Sequence, residues 1–296
     1  MMRKGNTTHG KSTVELEMWT EIIKPKSSLF NFHFKETWRY RDLILLFVKR
    51  DIASQYRQTI LGPLWHVVQP LLTTFMFLIL FNKIANISTD TLPPVLFYMS
   101  SITIWTYFST CLTSTSNTFV TNAAIFGKVY FPRLAMPLAT VCSNLFKFSI
   151  QFILLLVMIV YYILIGDYTL TLGWHTLLLP VIILMMGAMG LGLGITISSL
   201  TTKYRDLAIL VGFGVGLFMY ITPVAYPLSY LNASKYKVFI EWNPLTPLVE
   251  GFRYALFGQG TFNGISFLYS FGCTIFFLLC GVLIFNKVER SFMDTV

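Results

Sequence analysis

The most explicit chemical pattern in this sequence lies near its N-terminus, in a segment that satisfies the consensus of a phosphate-binding loop. Residues Gly5 to Ser12 fit G-x-x-x-x-G-K-[ST]. Such a loop works only where it joins a buried strand to a helix, so that backbone amides surround the phosphate groups. Only Met1 to Lys4 precede it, and two of these residues are basic. We therefore interpret the pattern as a chance match and expect no cofactor on this chain.

The carboxylates do not form a pattern that would support catalysis. Acid-base or metal-dependent chemistry needs carboxylates or histidines clustered at one place. Beyond residue 59 the acidic residues are scattered, with no paired motif: Asp90, Asp167, Asp206, Glu241, Glu250, Glu289 and Asp294. We predict no catalytic residue and no metal site.

Polar side chains recur instead at helical spacing. One stripe holds Ser100, Thr103, Thr106, Thr110, Thr113, Asn117 and Thr121, at steps of three or four residues. This spacing puts them on one helix face. The stripe either packs against another helix through small polar groups or faces a transported substrate. His66 and Gln69 share a face of the preceding apolar stretch, where His66 either lines a path or bonds between helices. Lys147 either faces water or extends its ammonium group to the membrane surface.

The elements that carry these residues are long apolar segments. The chain has 296 residues, of which 55% are hydrophobic and 12% charged, a composition typical of membrane proteins. A spanning helix needs roughly 20 mostly apolar residues. Six stretches qualify: 60–82, 94–119, 138–165, 174–200, 207–228 and 265–285. We predict an all-α integral membrane protein with six transmembrane helices.

The basic residues indicate the orientation, because Lys and Arg are retained on the cytoplasmic side of a membrane. Most of the 22 Lys and Arg residues fall in segments 1–59, 120–137, 201–206 and 286–296. This predicts a multi-pass protein with both termini in the cytosol. The net charge of +9 then reflects topology and contact with anionic lipid, and we expect no nucleic-acid partner.

Three regions follow from these patterns. Residues 1–33 form a polar cytosolic tail, residues 34–57 an amphipathic helix at the membrane interface, and residues 58–296 the six-span membrane domain. A helix packed on protein is the alternative for 34–57. Between the last two spans, residues 229–264 are too apolar for a soluble loop, which favours short re-entrant helices. One of these is predicted to have Thr246 as its N-cap, Pro247 at its first helical position and Gly258 as its stop. Within it, Glu250 is able to pair with Arg253.

Five short motifs occur in an order that resembles a known family. They are Arg50-Asp51-Ile52 through Tyr56-Arg57-Gln58-Thr59-Ile60-Leu61-Gly62-Pro63-Leu64-Trp65 with Pro70, Lys128-Val129-Tyr130-Phe131-Pro132-Arg133, Tyr204-Arg205-Asp206, Thr222-Pro223-Val224-Ala225-Tyr226-Pro227, and Asn243-Pro244-Leu245 with Arg253. Over roughly residues 35–290 the chain resembles permease subunits of type 2 ATP-binding-cassette (ABC) exporters. More narrowly, it is similar to the polysaccharide-export branch, which includes O-antigen, capsule and teichoic-acid permeases.

The resemblance implies a homodimer of this chain in a bacterial inner membrane, with separate ABC ATPase subunits that bind ATP and Mg. It places an ATPase-coupling helix at about 123–133, with the contact residues Phe126, Gly127, Lys128, Val129, Tyr130, Phe131, Pro132 and Arg133. The implied activity is export of a glycan carried on a polyprenyl diphosphate. The resemblance also allows export of another lipid or of a drug. A membrane-embedded glycan transferase and an ion-coupled transporter are the alternatives from other classes.

A glycan substrate would need hydroxyl groups and flat apolar surfaces along its path. The stripe residues Thr103, Thr106, Thr110, Thr113 and Asn117 are the candidates for the first need. The aromatic candidates are Trp105, Tyr107, Phe108, Phe213, Phe218 and Tyr220. Arg39, Arg41, Arg50 and Arg57 are candidates for binding a diphosphate headgroup or anionic lipid.

Overall fold

The structure is a computed structural model, and it describes residues 38–57, 60, 62–122, 125, 131–169, 173–201, 206–232 and 235–292. The predicted tail 1–33 lies outside the described residues. So do the predicted coupling residues Phe126, Gly127, Lys128, Val129 and Tyr130. In the described part of the chain the regular structure is helical and contains no strand.

Ten α-helices carry the described fold. They are α1 (Arg41–Tyr56), α2 (Trp65–Phe77), α3 (Pro94–Ser116), α4 (Thr118–Thr121), α5 (Ala135–Ile165), α6 (Leu178–Thr201), α7 (Leu207–Ile221), α8 (Lys237–Glu241), α9 (Thr246–Phe257) and α10 (Gly264–Phe292). A 3-10 turn at Gly62–Leu64 precedes α2, and a π-helix at Leu78–Ile84 continues it. Further 3-10 turns lie at Trp174–Leu177 and Leu228–Leu231.

Five helical segments are long and apolar enough to cross a membrane: Gly62–Ile84, Pro94–Ser116, Ala135–Ile165, Trp174–Thr201 and Gly264–Lys287. They match five of the six predicted spans. The remaining prediction, 207–228, is not confirmed as a span, because α7 has 15 residues and is therefore about 22 Å long, against about 30 Å of hydrocarbon. The helix ends where Thr222 takes an extended conformation, which the following Pro223 favours by its clash with helical backbone.

The centre of the fold is α3, the most buried of the five candidate spans. It packs on α5 and α6, and α6 in turn packs on α10. Glycine allows α6 and α10 to approach each other closely. A Cβ on Gly192 would lie 2.7 Å from backbone atoms of α10, so only a residue without a side chain fits there. Glycine at this position therefore lets the backbones of α6 and α10 come into contact. In α7, by contrast, a Cβ added at Gly212, Gly214 or Gly216 would meet no neighbouring element of the described chain within 4 Å.

Helix α1 packs on protein along one face. Phe47 is buried with Phe131, Ala135, Met136 and Ala139 at the start of α5. Leu45 and Leu46, on the other face of α1, are 57% and 59% exposed. The helix therefore joins a protein contact to an apolar face that is open to the surroundings.

The predicted short helices before the last span are present as α8 and α9. Gly258 has a left-handed backbone with φ of 68° and ends α9, as predicted. The expected N-cap by the Thr246 side chain is wrong, because its hydroxyl donates to the carbonyl of Ile240 at 2.7 Å instead. Helix α9 packs against α3, α6 and α10.

Candidate functional site

A polar cavity of about 290 Å³ lies between α1, the end of α3 with α4, and the first half of α5. We refer to it below as the polar cavity. Its lining consists almost entirely of hydroxyl, amide and charged side chains: Arg50, Asp51, Ser54, Gln55, Ser114, Asn117, Thr118, Thr121, Asn122, Thr140, Ser143, Asn144 and Lys147. Its volume is near the lower end of the roughly 300–1,000 Å³ that is typical of ligand pockets. The basic-residue distribution predicts that this end of the bundle faces the cytosol.

The cavity has an exposed rim and a buried floor. Ser54, Gln55 and Thr121 at the rim are exposed, whereas Ser143 and Asn144 at the floor are buried. Asn144 donates from Nδ2 to the carbonyl of Thr110 at 3.2 Å, which fixes its side chain between α5 and α3. Its Oδ1 accepts a hydrogen bond of 3.0 Å from Lys147 Nζ. The lysine is therefore directed into the cavity rather than along the lipid-facing side of α5.

Arg50 supplies the second cation of the cavity. Its Nη2 donates to Asp51 Oδ1 at 2.7 Å and to Asn122 Oδ1 at 3.2 Å, and its Nε donates to the same Asp51 oxygen at 3.0 Å. The guanidinium carbon lies 5.1 Å from the centre of the Phe47 ring. These contacts connect Arg50 on α1 to Asn122, the residue that follows α4.

The hydroxyl stripe predicted on the second span divides into two parts. Ser100 and Thr103 are fully buried, and Thr103 donates to the carbonyl of Met99 at 2.7 Å. Thr110 and Thr113 likewise donate to carbonyls of their own helix, and Thr106 is half-buried. Asn117 and Thr121, at the opposite end, line the polar cavity. Of the stripe, therefore, only this last part borders an open space in the described structure.

The other polar candidates lie around the cavity or away from it. His66 is half-buried on α2, with its ring 5.9 Å from that of Tyr56, and it interacts electrostatically with Lys147. Gln69 is exposed. Of the four arginines proposed for headgroup binding, only Arg50 lines the cavity, whereas the other three are exposed: Arg39, Arg41 and Arg57.

The six aromatic candidates also fall into two groups. Trp105, Tyr107 and Phe108 are buried in the main core. Phe218 is half-buried, with its ring 6.2 Å from that of Trp105, and this contact holds α7 against α3. Phe213 and Tyr220, on the opposite face of α7, are 66% and 52% exposed. The structure does not bring the six rings together.

Three of the predicted coupling residues can be placed. Phe131 is buried, and its ring centre lies 5.5 Å from that of Phe47 on α1. Pro132 and Arg133 are half-buried just before α5. The end of the predicted coupling segment is thus packed against the helix that forms one side of the polar cavity.

A second polar cluster lies at the other end of the bundle. The predicted pairing of Glu250 with Arg253 is confirmed as a salt bridge, and both side chains are almost completely buried. Arg253 also donates to Ser101 at 3.2 Å and lies 4.2 Å from the centre of the Phe97 ring, so it joins α9 to α3. Burial raises the pKa of the Glu250 carboxyl, an effect that Arg253 and the backbone N–H of Leu228 oppose.

Sequence reasoning did not assign Asp51, Asn144 or Lys147 to a common site. The available signal was the polar side of the third span, from Thr140 to Gln151, together with the charged end of the interface helix. The spacing along each helix did not show that these two segments meet. In the described residues no group of three or more His, Cys, Asp or Glu side chains is placed to hold a metal ion.

Several apolar helices of membrane-crossing length, with a polar cavity at one end of the bundle, define a multi-pass helical membrane protein. Residues 42–257 match the sequence profile of the ABC-2 type transporter family. The chain belongs to that family, whose members are membrane subunits of ABC transporters.

Curated relatives cover most of the chain. A protein from Klebsiella pneumoniae named O-antigen export system permease protein RfbA is 29% identical over 255 residues, which is 86% of this chain and 94% of the relative. A Myxococcus xanthus protein of the same name is 27% identical over 220 residues, or 74% of this chain and 82% of the relative.

Proposed function

We propose that this chain is the membrane subunit of an ATP-driven exporter that moves a lipid-linked polysaccharide of the O-antigen type across a bacterial inner membrane. The observation that carries the proposal is the similarity to O-antigen export permeases over 86% of this chain and 94% of the relative. Because the alignment covers nearly the whole relative, it includes the membrane helices that would contact a substrate.

The proposed substrate is a glycan on a polyprenyl diphosphate. Such a molecule combines an apolar tail, an anionic headgroup and a sugar chain. The described residues offer chemistry for each part. Apolar side chains cover the exterior of the bundle, the polar cavity carries two cations, and the open face of α7 presents Phe213 and Tyr220 to the surroundings. Exposed aromatic faces suit sugar rings.

We propose that two copies of this chain assemble with two separate ATPase subunits, which bind ATP and Mg. The docking site would include the segment 123–133, in which Phe131 contacts Phe47 on α1. Movement of the ATPase would then reach α1 through this contact, and it would reach the polar cavity through Arg50 and Asp51, which lie on α1 and line the cavity.

Deletion of this chain in its source organism tests the function. Loss of surface polysaccharide, with lipid-linked polymer accumulating in the cytosol, is the expected result, and the wild-type chain should restore export. Normal surface polysaccharide in the deletion strain would refute the polysaccharide assignment.

The ATPase requirement has its own test in vesicles. Vesicles that contain this chain alone should not translocate lipid-linked glycan, whereas vesicles that also contain its ATPase and ATP should do so. Translocation by the chain alone, without nucleotide, would refute the proposed energy source.

A further inference from the structure

We propose that the polar cavity binds a phosphate-bearing lipid headgroup, with Lys147 as its principal contact and Arg50 as the second. The inference rests on the proposed function, because it names the part of the substrate that this cavity would hold. Two membrane lipids share the chemistry: the polyprenyl diphosphate carrier and an ordinary anionic phospholipid.

The position of Lys147 in a spanning helix favours the binding of an anion. It lies within the spanning helix α5, about 18 Å along the helix axis from Ala135 at 1.5 Å per residue. A lysine within a spanning segment is costly unless it meets water or a partner. In the described structure it makes no salt bridge, and its hydrogen-bond partner is the neutral amide of Asn144. Asp51 acts on it electrostatically, from beyond salt-bridge distance.

The hydrogen bond to Asn144 leaves Lys147 able to bind an anion. An ammonium group has three N–H donors, and Asn144 takes one of them. The contact to Asn144 aims the charge into the polar cavity without neutralising it. Because Asn144 is itself held by the carbonyl of Thr110 at 3.2 Å, the position of the ammonium group is set before any ligand arrives.

Arg50 offers donors on the facing side of the cavity. Its Nε and Nη2 groups bind Asp51 and Asn122. The two N–H groups of Nη1 have no partner among the described residues. An arginine fork with one free edge is suited to a phosphate oxygen. The pairing with Asp51 orients the guanidinium, so little side-chain entropy remains to be lost on binding.

The charge and the remaining lining select an anion with several acceptor oxygens. The cavity carries Arg50, Lys147 and one carboxylate, Asp51, so its lining has a net positive charge. Ser114 and Gln55 add side-chain donors that have no hydrogen-bond partner in the described part of the chain. Phosphate groups accept several hydrogen bonds and carry negative charge, whereas sugar hydroxyls would leave the cations unpaired.

The route to the cavity suits a lipid. Its rim at Ser54 and Gln55 lies on α1, the helix whose other face exposes Leu45 and Leu46. Exposed apolar side chains about two to three turns from a polar opening on the same helix fit a molecule that keeps its tail in the membrane while its headgroup enters the cavity. A soluble anion would gain nothing from this neighbouring apolar face.

Binding of farnesyl diphosphate to the purified full-length chain in detergent tests the inference, with farnesol as the uncharged probe and dihexanoyl phosphatidylglycerol as the single-phosphate lipid. We expect the wild-type chain to bind farnesyl diphosphate and not farnesol. Lys147→Met should weaken that binding at least about tenfold, the factor for loss of one hydrogen bond to a charged group. Lys147→Arg should retain most of it, because the charge remains.

The control is Lys83→Met, which removes an exposed lysine outside the cavity and should leave the affinity unchanged. Should Lys147→Met fail to fold, Arg50→Gln removes the second cation of the cavity and should also weaken binding. Equal affinity for farnesol, or unchanged affinity in the cavity variants, would overturn the proposal.

The two lipid sources give different results. Binding of farnesyl diphosphate alone identifies the polyprenyl diphosphate carrier, whereas equal binding of phosphatidylglycerol, with the same loss in Lys147→Met, identifies a general phospholipid site. This assay uses neither glycan nor ATPase. A deletion strain with normal surface polysaccharide would therefore refute the proposed function without affecting the evidence for the phosphate site. Unaltered binding in the cavity variants would refute the phosphate site without affecting the proposed function.

Discussion

Removal of Arg253 should destabilise the chain far more than removal of a surface lysine. Arg253 and its partner Glu250 are only 2% and 4% exposed. Replacing one member of a buried pair leaves the other charge without compensation, at a cost of about 3–5 kcal/mol. Arg253→Met also removes the hydrogen bond to Ser101 and the contact with the Phe97 ring. At about 2–4 °C per kcal/mol, we expect the melting temperature to fall by at least about 6 °C.

The assay is thermal unfolding of the purified full-length chain in detergent, followed by size-exclusion chromatography. Lys237→Met is the matched control, because it breaks a pair of the same charge types that is partly exposed, with Lys237 Nζ 3.6 Å from Glu241 Oε1. An exposed pair contributes about 0.3–0.5 kcal/mol, so this change should shift the melting temperature by no more than about 2 °C.

A double variant separates the charge effect from the loss of packing. Glu250→Gln combined with Arg253→Met leaves no lone charge, and glutamine can still accept the N–H of Leu228. The double variant should therefore be more stable than Arg253→Met alone. If Arg253→Met unfolded at the same temperature as the Lys237→Met control, the Glu250–Arg253 pair would have to be accessible to water. The role of Arg253 in joining α9 to α3 would then be wrong.

Three further changes test particular contacts. Gly192→Leu should abolish the folded protein on size-exclusion chromatography, because even a Cβ would lie 2.7 Å from the backbone of α10. Gly212→Ala is the control and should fold normally, because a Cβ there would meet no neighbouring element within 4 Å. Equal recovery of the two variants would contradict the packing of α6 on α10. Thr103→Val should change stability by less than about 1 kcal/mol and leave export intact, since its hydroxyl binds its own helix; a large loss of export in a folded variant would instead favour a substrate contact. Phe131→Ala should cost about 3 kcal/mol, the lower end for a buried phenylalanine, measured by the same thermal unfolding; no loss would mean that the ring contact with Phe47 does not hold α1.

The apolar segments were predictable because each depends on residues close together in the sequence. Five of the six predicted spans coincide with helices of membrane-crossing length. The stretch 207–228 is not confirmed as a span, because the helix within it stops at Ile221 although the whole stretch is apolar. Pro223 disfavours helical backbone at Thr222 and so shortens the helix. It leaves the mean hydropathy of the stretch almost unchanged, and a prediction based on hydropathy therefore does not detect it.

The candidate site was predictable only in pieces. The spacing of Asn117 and Thr121 placed them on a polar helix face, and Arg50 was identified as a candidate cation. That these residues share a cavity with Asn144 and Lys147 depends on how α1, α3 and α5 pack. The same periodicity also included Thr103, which is fully buried, because a hydroxyl stripe has the same spacing whether it faces a helix or an open space.

Residue order alone indicates a helical membrane protein, the family that it resembles, and a Glu250 that is able to pair with Arg253. These properties follow from local composition, from motif order and from the three-residue spacing of one helix. The contact of Arg253 with Ser101 on another helix, and the direction of Lys147 into a cavity instead of toward lipid, are visible only once the helices are packed. The physical reason is that burial and charge environment depend on neighbours far apart in the chain, which the packing of the helices brings together.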